Sequence, residues 1–304
     1  MSEEAKTSPP FEPTASLKAA MGAFEKHMER EGFSEHTIKA FLSDLGILGQ
    51  FLGIGRAVGK VGTEDLHKFL DWLQNERGIP CNAKSLARRL TALKVFFGWL
   101  VKVGVLETDP AAPVTHQPVS TPLPKILKEE EIKRVLALTQ GLRQPGPKGQ
   151  SDARPHLLVT LLLQTGIKKG ECMNLVLNHL DFSAPEAPAV WIRYQDPRRR
   201  HKERKLRLPK EWPAVFKAYQ AQYQVEDGAI FPCTARNLEY VLADVAQAAN
   251  LPHGLSFEML RWTSAARDYK AKMSAERQRQ KMGLSKASWR EVKVKLARLA
   301  QKAL

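Results

Sequence analysis

Three stretches of this 304-residue chain gather the residue types that hold phosphate. The first is the run Arg198-Arg199-Arg200-His201-Lys202-Glu203-Arg204. So much positive charge in one place repels itself unless an anion lies near. Arginine offers paired planar donors that suit phosphate oxygens, guanine edges and narrow minor grooves. The second is Arg88 and Arg89, with Lys84 one turn earlier. Charges at i and i+4 on one helix face suit a helix laid along a DNA groove. The third is Arg261, which follows Met259 and Leu260 and precedes Trp262. An arginine in apolar company needs an anionic partner. A carboxylate from Glu258 or Asp268 would supply one, and so would a phosphate. The residues leave both open, just as a flexible charged loop and a solvated helix face stand beside the first two readings.

The composition agrees with an anionic partner. The formal net charge is +15 and the pI about 9.8, and nucleic acid is the commonest counterpart of such an excess. Basicity for solubility alone is the alternative. Hydrophobic residues make up 43% of the chain, enough for ordinary cores, and 304 residues suggest two domains. Cys81, Cys172 and Cys233 lie too far apart for a metal site, and neither metal nor cofactor is expected. Their odd number suggests reduced thiols in a cytosol, and with the basic charge the expected localisation is cytoplasmic, nucleoid-associated. No apolar run reaches the ~20 residues that a membrane helix needs. The opening MSEEAKTSPPFEPT reads as a disordered leader over 1–14.

These residues need elements to carry them. From 15 to 106 the pattern is wholly helical. Leu17, Met21, Phe24 and Met28 share one face, and Ser34 caps a second helix through Leu52. Thr63 is expected to cap a third, and a fourth covers about Ala83 to Val103. The result is a four-helix bundle. Five prolines between Glu107 and Lys125 predict an extended linker over 107–123. From 124 to 304 the elements mix. Helices are expected at Lys128–Leu138, Leu157–Gln164, Trp212–Tyr223, Arg236–Ala248, Phe257–Lys272 and Ser288–Leu304. Ala189–Tyr194 and Lys205–Leu208 alternate as paired strands, with the basic run at their tip. The fold class is therefore mainly α with a small β-hairpin.

In collinear order, several stretches resemble the tyrosine recombinase (phage integrase) family, of the Xer-like kind. SEHTIKAFLSDLGILGQFL and SLARRLTALKVFFGWLVKVGVLETDP resemble helices of its SAM-like core-binding domain. LPKILKEEEIKRVL resembles the opening of its catalytic domain. QTGIKKGECMNLVLNHLDF resembles the first catalytic box, HKERKLRLP the hairpin end, LSFEMLRWTSAA the second box and KMGL the turn of the third. The resemblance implies a two-domain clamp on duplex DNA and attack by a tyrosine on a phosphodiester. It also implies that arginines, a lysine and histidines stabilise the transition state.

The matching positions depart from that pattern. The first arginine falls at Lys168, which keeps the charge and loses the fork. The hairpin lysine falls near Arg199, or at Lys202 if the register slides. Arginine is a poor general acid, with a pKa above ~12. The second-box histidine falls at Glu258, while Arg261 keeps the second arginine. The third-box histidine falls at Leu284 and the nucleophile at Lys293. No tyrosine follows Tyr269, which is expected to pack in the core. The catalytic set as a whole is not intact, so the expected function is non-catalytic binding of double-stranded DNA. Lys84, Arg88, Arg89, Lys168, Arg198, Arg199, Arg200, Lys202, Arg204, Arg261 and Lys293 are the expected contacts. The rival reading is an active, divergent recombinase with a displaced nucleophile or one supplied by a partner subunit. Partners implied are duplex DNA, a second copy joined through the last helix with its Trp289, Val292, Leu296 and Leu299 stripe, and an active recombinase.

Overall fold

The computed structural model describes residues 9–79, 81–115, 122–145, 151–226 and 228–302. The chain divides into two units between Thr121 and Pro122.

The first unit is built from α1 (Leu17–Arg30), α2 (Glu35–Leu52), α3 (Thr63–Asn75) and α4 (Ala83–Lys102). Each start has a polar cap. Ser16 accepts from the Ala19 N–H, Ser34 from Thr37 and Asn82 from Ser85. At α3 the expected Thr63 cap is replaced. Gly62 holds the cap position, its N–H donating to the Asp65 carboxylate at 2.9 Å, and the Thr63 hydroxyl donates to the Pro110 carbonyl. Phe24, Phe69, Phe96, Phe97 and Leu100 fill the core. Two segments read as irregular pack here. Phe11 lies against Trp99 at 6.2 Å, and the Pro13 carbonyl accepts from Gly59, so part of the expected leader is ordered. Residues 1–8 lie outside the described residues. Within the expected linker, Ala111 and Val114 are buried in this same core. Proline forbids helix there but does not forbid burial. Residues 116–121 lie outside the described residues.

The second unit holds α5 (Glu129–Gly141), α6 (Arg154–Thr165), α7 (Lys169–Met173), α8 (Trp212–Tyr223), α9 (Ala235–Ala248), α10 (Phe257–Lys270), α11 (Ala275–Lys281) and α12 (Lys286–Lys302). Its sheet has three antiparallel strands in the order β1 (Leu180–Asp181), β2 (Ala189–Ile192), β3 (Arg204–Arg207). Val190 opposes both Leu180 and Leu206. The fold class is mainly α with this small sheet. α6 is buried on every side, with Leu157, Leu158, Leu161 and Leu162 wholly enclosed. That is why its sequence shows no amphipathic face. A separate cluster unites Trp262, Ala265, Met282, Trp289, Leu296 and Leu299, with Tyr269 packed against it. The apolar stripe of α12, expected as a contact between copies, is thus spent inside its own domain.

Candidate functional site

α6 ends at Gly166, whose φ of +60° turns the chain left-handed. A Cβ there would sit 3.1 Å from the Ser264 hydroxyl, so the glycine also lets α10 approach α6. Lys168 then caps α7, its N–H donating to the Glu171 carboxylate at 2.8 Å. These turns place two arginines that tie the site together. Arg261, from α10, donates to the Gly166 carbonyl and, at 2.7 Å, to the Met282 carbonyl. Neither carboxylate foreseen in the sequence is its hydrogen-bond partner. Asp268 pairs with Lys281 at 2.6 Å, and Glu258 is exposed at the cleft. Burial draws the Arg261 guanidinium down to about 10, with Glu171 opposing the shift. It stays charged at neutral pH.

The second arginine corrects an expectation. Arg204 is not a free cation of the hairpin tip; its side chain is 8% exposed. It donates to Glu171 at 2.9 Å and 3.2 Å, and its Nε donates to the Lys281 carbonyl. The Tyr194 hydroxyl donates to the same carboxylate. Burial pushes the Glu171 carboxyl up, but Arg204, Tyr194 and the Lys168 N–H together push further down, and the net shift is downward. Sequence reading missed Glu171. An acidic residue three positions after a helix cap was the available signal.

Lys168, Glu258 and Arg261 line one open cleft of about 670 Å³, together with Lys169, Glu239 and Trp262. Burial lowers the Lys168 ammonium, Glu171 raises it, and Arg261, Lys202 and Arg204 lower it further. Lys202 is thus near enough to act on the Lys168 ammonium. Arg199 instead stands 3.5 Å from Asp196 on the exposed 3-10 turn Pro197–Lys202, where Arg198 also meets Asp196 and Arg200 is exposed. Leu284 lines a smaller neighbouring pocket of about 270 Å³ with Lys202, Arg204 and Arg279. Lys293 is exposed on α12 and lines neither cleft.

The five tyrosines are all accounted for. Tyr194 lies nearest these cations, yet its hydroxyl is committed to Glu171, and burial first, then that carboxylate, push it up to about 12. Tyr219 is buried in the core and Tyr223 donates to Asp152. Tyr240 accepts from Arg236, and Tyr269 packs in the α12 cluster.

In the first unit, Arg88 is half-exposed and donates to the buried Asp44 at 2.5 Å. Arg89 is mostly buried, 3.5 Å from Asp44, and donates to the Cys81 sulfur. Lys84 is exposed. Of this trio, Arg89 is a structural residue, while Lys84 and Arg88 present charge to solvent.

Residues 22–104 match the phage integrase N-terminal SAM-like domain. The chain is 29% identical over 169 residues to a tyrosine recombinase XerC of Mycobacterium sp. (strain JLS), covering 55% of each chain. It is 30% identical over 167 residues to the XerC of Mycobacterium tuberculosis (strain ATCC 25177 / H37Ra), covering 54% of each. Along most of its length it shares the fold of XerH, solved as a post-cleavage complex with a palindromic difH substrate. The TM-score is 0.67 at 16% identity, over 99% of this chain and 97% of that one. A lambda integrase dimer bound to a core site gives a TM-score of 0.68 at 14% identity, over 91% and 94%. Over 22–104 the chain carries a phage integrase N-terminal SAM-like domain, and over about half its length it is similar to tyrosine recombinases. The sequence matches span about half the length of the curated relatives. Among the described residues, no helix is long and apolar enough to cross a membrane, and no cluster of His, Cys, Asp or Glu could hold a metal ion.

Proposed function

We propose that this chain is a member of the tyrosine recombinase family that binds double-stranded DNA through backbone phosphates and does not cut it by the tyrosine route. One observation carries the reading. Lys168 and Arg261 meet in one open cleft, Lys202 is near enough to act on Lys168, and no tyrosine hydroxyl is offered to the cleft. Strand cleavage needs a nucleophile aligned with the phosphate and proton donors on its oxygens. Leu284 donates nothing, Glu258 presents a carboxylate, and Lys293 stands at the position matched to the nucleophile. Loss of the nucleophile removes the covalent route, and each lost imidazole removes a further ~10²- to 10⁴-fold. What remains are cations that hold phosphate. Nucleoid organisation, regulation, and accessory work beside an active recombinase all fit such binding, as does self-association on DNA.

The test is a pair of measurements on one protein sample. Binding to a duplex, followed across a salt series, is expected to show a steep linear fall of log K with log salt. A nicked suicide duplex is expected to leave no covalent adduct on a denaturing gel. Failure to bind at low salt, or an adduct lost on mutation of one tyrosine, would overturn the proposal.

Glu258 supplies a second expected outcome. Its exposed carboxylate lines the cleft and interacts with Arg261, opposing any phosphate there. Glu258→Gln should tighten DNA binding about fivefold, since one screened like charge near 4 Å is worth about 1 kcal/mol. Equal or weaker binding by titration would mean that phosphate does not enter this cleft.

A further inference from the structure

We propose that α12 carries a DNA-binding edge of its own: Lys286, Arg290 and Lys293 lie along one side of the helix and grip consecutive backbone phosphates. This rests on the DNA-binding reading above and adds a contact surface to it.

The three residues stand at i, i+4 and i+7, one helical edge that rises about 10 Å. All three are exposed. The helix cannot roll to hide them. Trp289, Leu296 and Leu299 on its adjoining face are buried against Trp262 and Met282. The direction of the basic edge is therefore set by packing.

Charge pairing within the helix separates this edge from an ordinary solvated face. Lys39 and Lys68, exposed on other helices, each have an acid one turn away, Glu35 and Glu64. On α12 the single acid, Glu291, pairs with Lys295 at 2.5 Å, on a different side. No acid stands three or four positions from Lys286, Arg290 or Lys293. Those positions bring the cations against each other instead, which weakens a helix. Glu276, which Lys286 also influences, is already held by Arg279. An arrangement that opposes its own helix is relieved by an anion from outside, and a row of phosphodiesters matches a row of cations.

The experiment uses the full chain. The triple variant Lys286→Gln, Arg290→Gln, Lys293→Gln is compared with wild type and with a charge-matched control, Lys210→Gln, Lys217→Gln, Arg298→Gln. Duplex binding is measured across a salt series, and each protein's thermal transition confirms folding. The α12 variant should lose about 2.7 units of salt slope, three contacts at about 0.9 each, while the control keeps the wild-type slope. Each single variant should lose about 0.9, which keeps the test open if the triple variant folds poorly. A wild-type slope in the α12 variants would overturn this inference and leave the DNA-binding reading standing. Equal losses in variant and control would also overturn it, because net charge alone would then explain the effect. No binding by wild type would overturn both.

Discussion

Glu171→Ala is expected to destabilise the second unit by about 3–5 kcal/mol, read as a lower midpoint in urea unfolding with an unchanged slope. The reason is what the carboxylate leaves behind. Arg204 would remain enclosed with its charge uncompensated, and the Tyr194 hydroxyl and Lys168 N–H would lose their acceptor. Breaking a buried pair costs more than removing both partners. The double variant Glu171→Met, Arg204→Met should therefore recover most of the loss, leaving the Tyr194 and Lys168 donors and the Lys281 and Lys202 carbonyls without these partners. A single variant within 1 kcal/mol of wild type would mean that water reaches Arg204 and that the pair is not buried in solution.

The same carboxylate makes stability acid-sensitive. The folded protein holds Glu171 below its ordinary value of 4.5, against the opposing effect of burial. Its contribution is complete above 4.5 and is lost as pH falls through the lower folded value. The Glu171→Ala penalty should thus shrink in acid below about pH 4 and stay constant from pH 6 to 8. A penalty that grew on acidification would contradict this sign.

Gly283→Ala is the second large effect, at about 3 kcal/mol in the same unfolding assay. Two costs combine. The residue has φ +59°, where a Cβ is strained by about 1 kcal/mol. The added Cβ would also fall 2.6 Å from Arg204 Nη1 and 2.9 Å from its Cζ. A flexible arginine tip would ordinarily move aside. This one is held by Glu171 and the Lys281 carbonyl, so moving it breaks the buried pair. Gly254 supplies the comparison, with φ +69° and nothing within 4 Å of its Cβ. Gly254→Ala should cost only the strain, about 1 kcal/mol. Equal losses in the two variants would show that Arg204 can relax and that the contact carries no energy.

Most element positions were legible because helix periodicity and caps are local. Ser16, Ser34 and Asn82 mark starts by offering a side-chain oxygen to a nearby backbone N–H. The misplaced Thr63 cap shows the limit, since Asp65 reaches back and performs the task from inside the helix. β1 is two residues long and pairs only through β2, and α11 has seven mostly polar residues, so neither leaves a periodic signal. The burial of Ala111 and Val114 was hidden behind prolines, which report backbone geometry and not where the segment lies.

The sequence by itself determined the likeness to tyrosine recombinases, the helical character, the surplus of cation and which residues stand at the matched positions. Those properties reside in residue identity and short spacing. Only the tertiary structure decided which cations are available. Arg204 and Arg261 look alike in sequence to Arg199 and Arg88, yet the first is consumed by a carboxylate and the second is fixed at the cleft by two carbonyls that leave its charge unpaired. Their partners lie 33, 95 and 21 residues away. Such pairings depend on how helices and strands meet in space, and no local pattern encodes them. The same packing turned the apolar stripe of α12 inward and left its basic edge facing solvent.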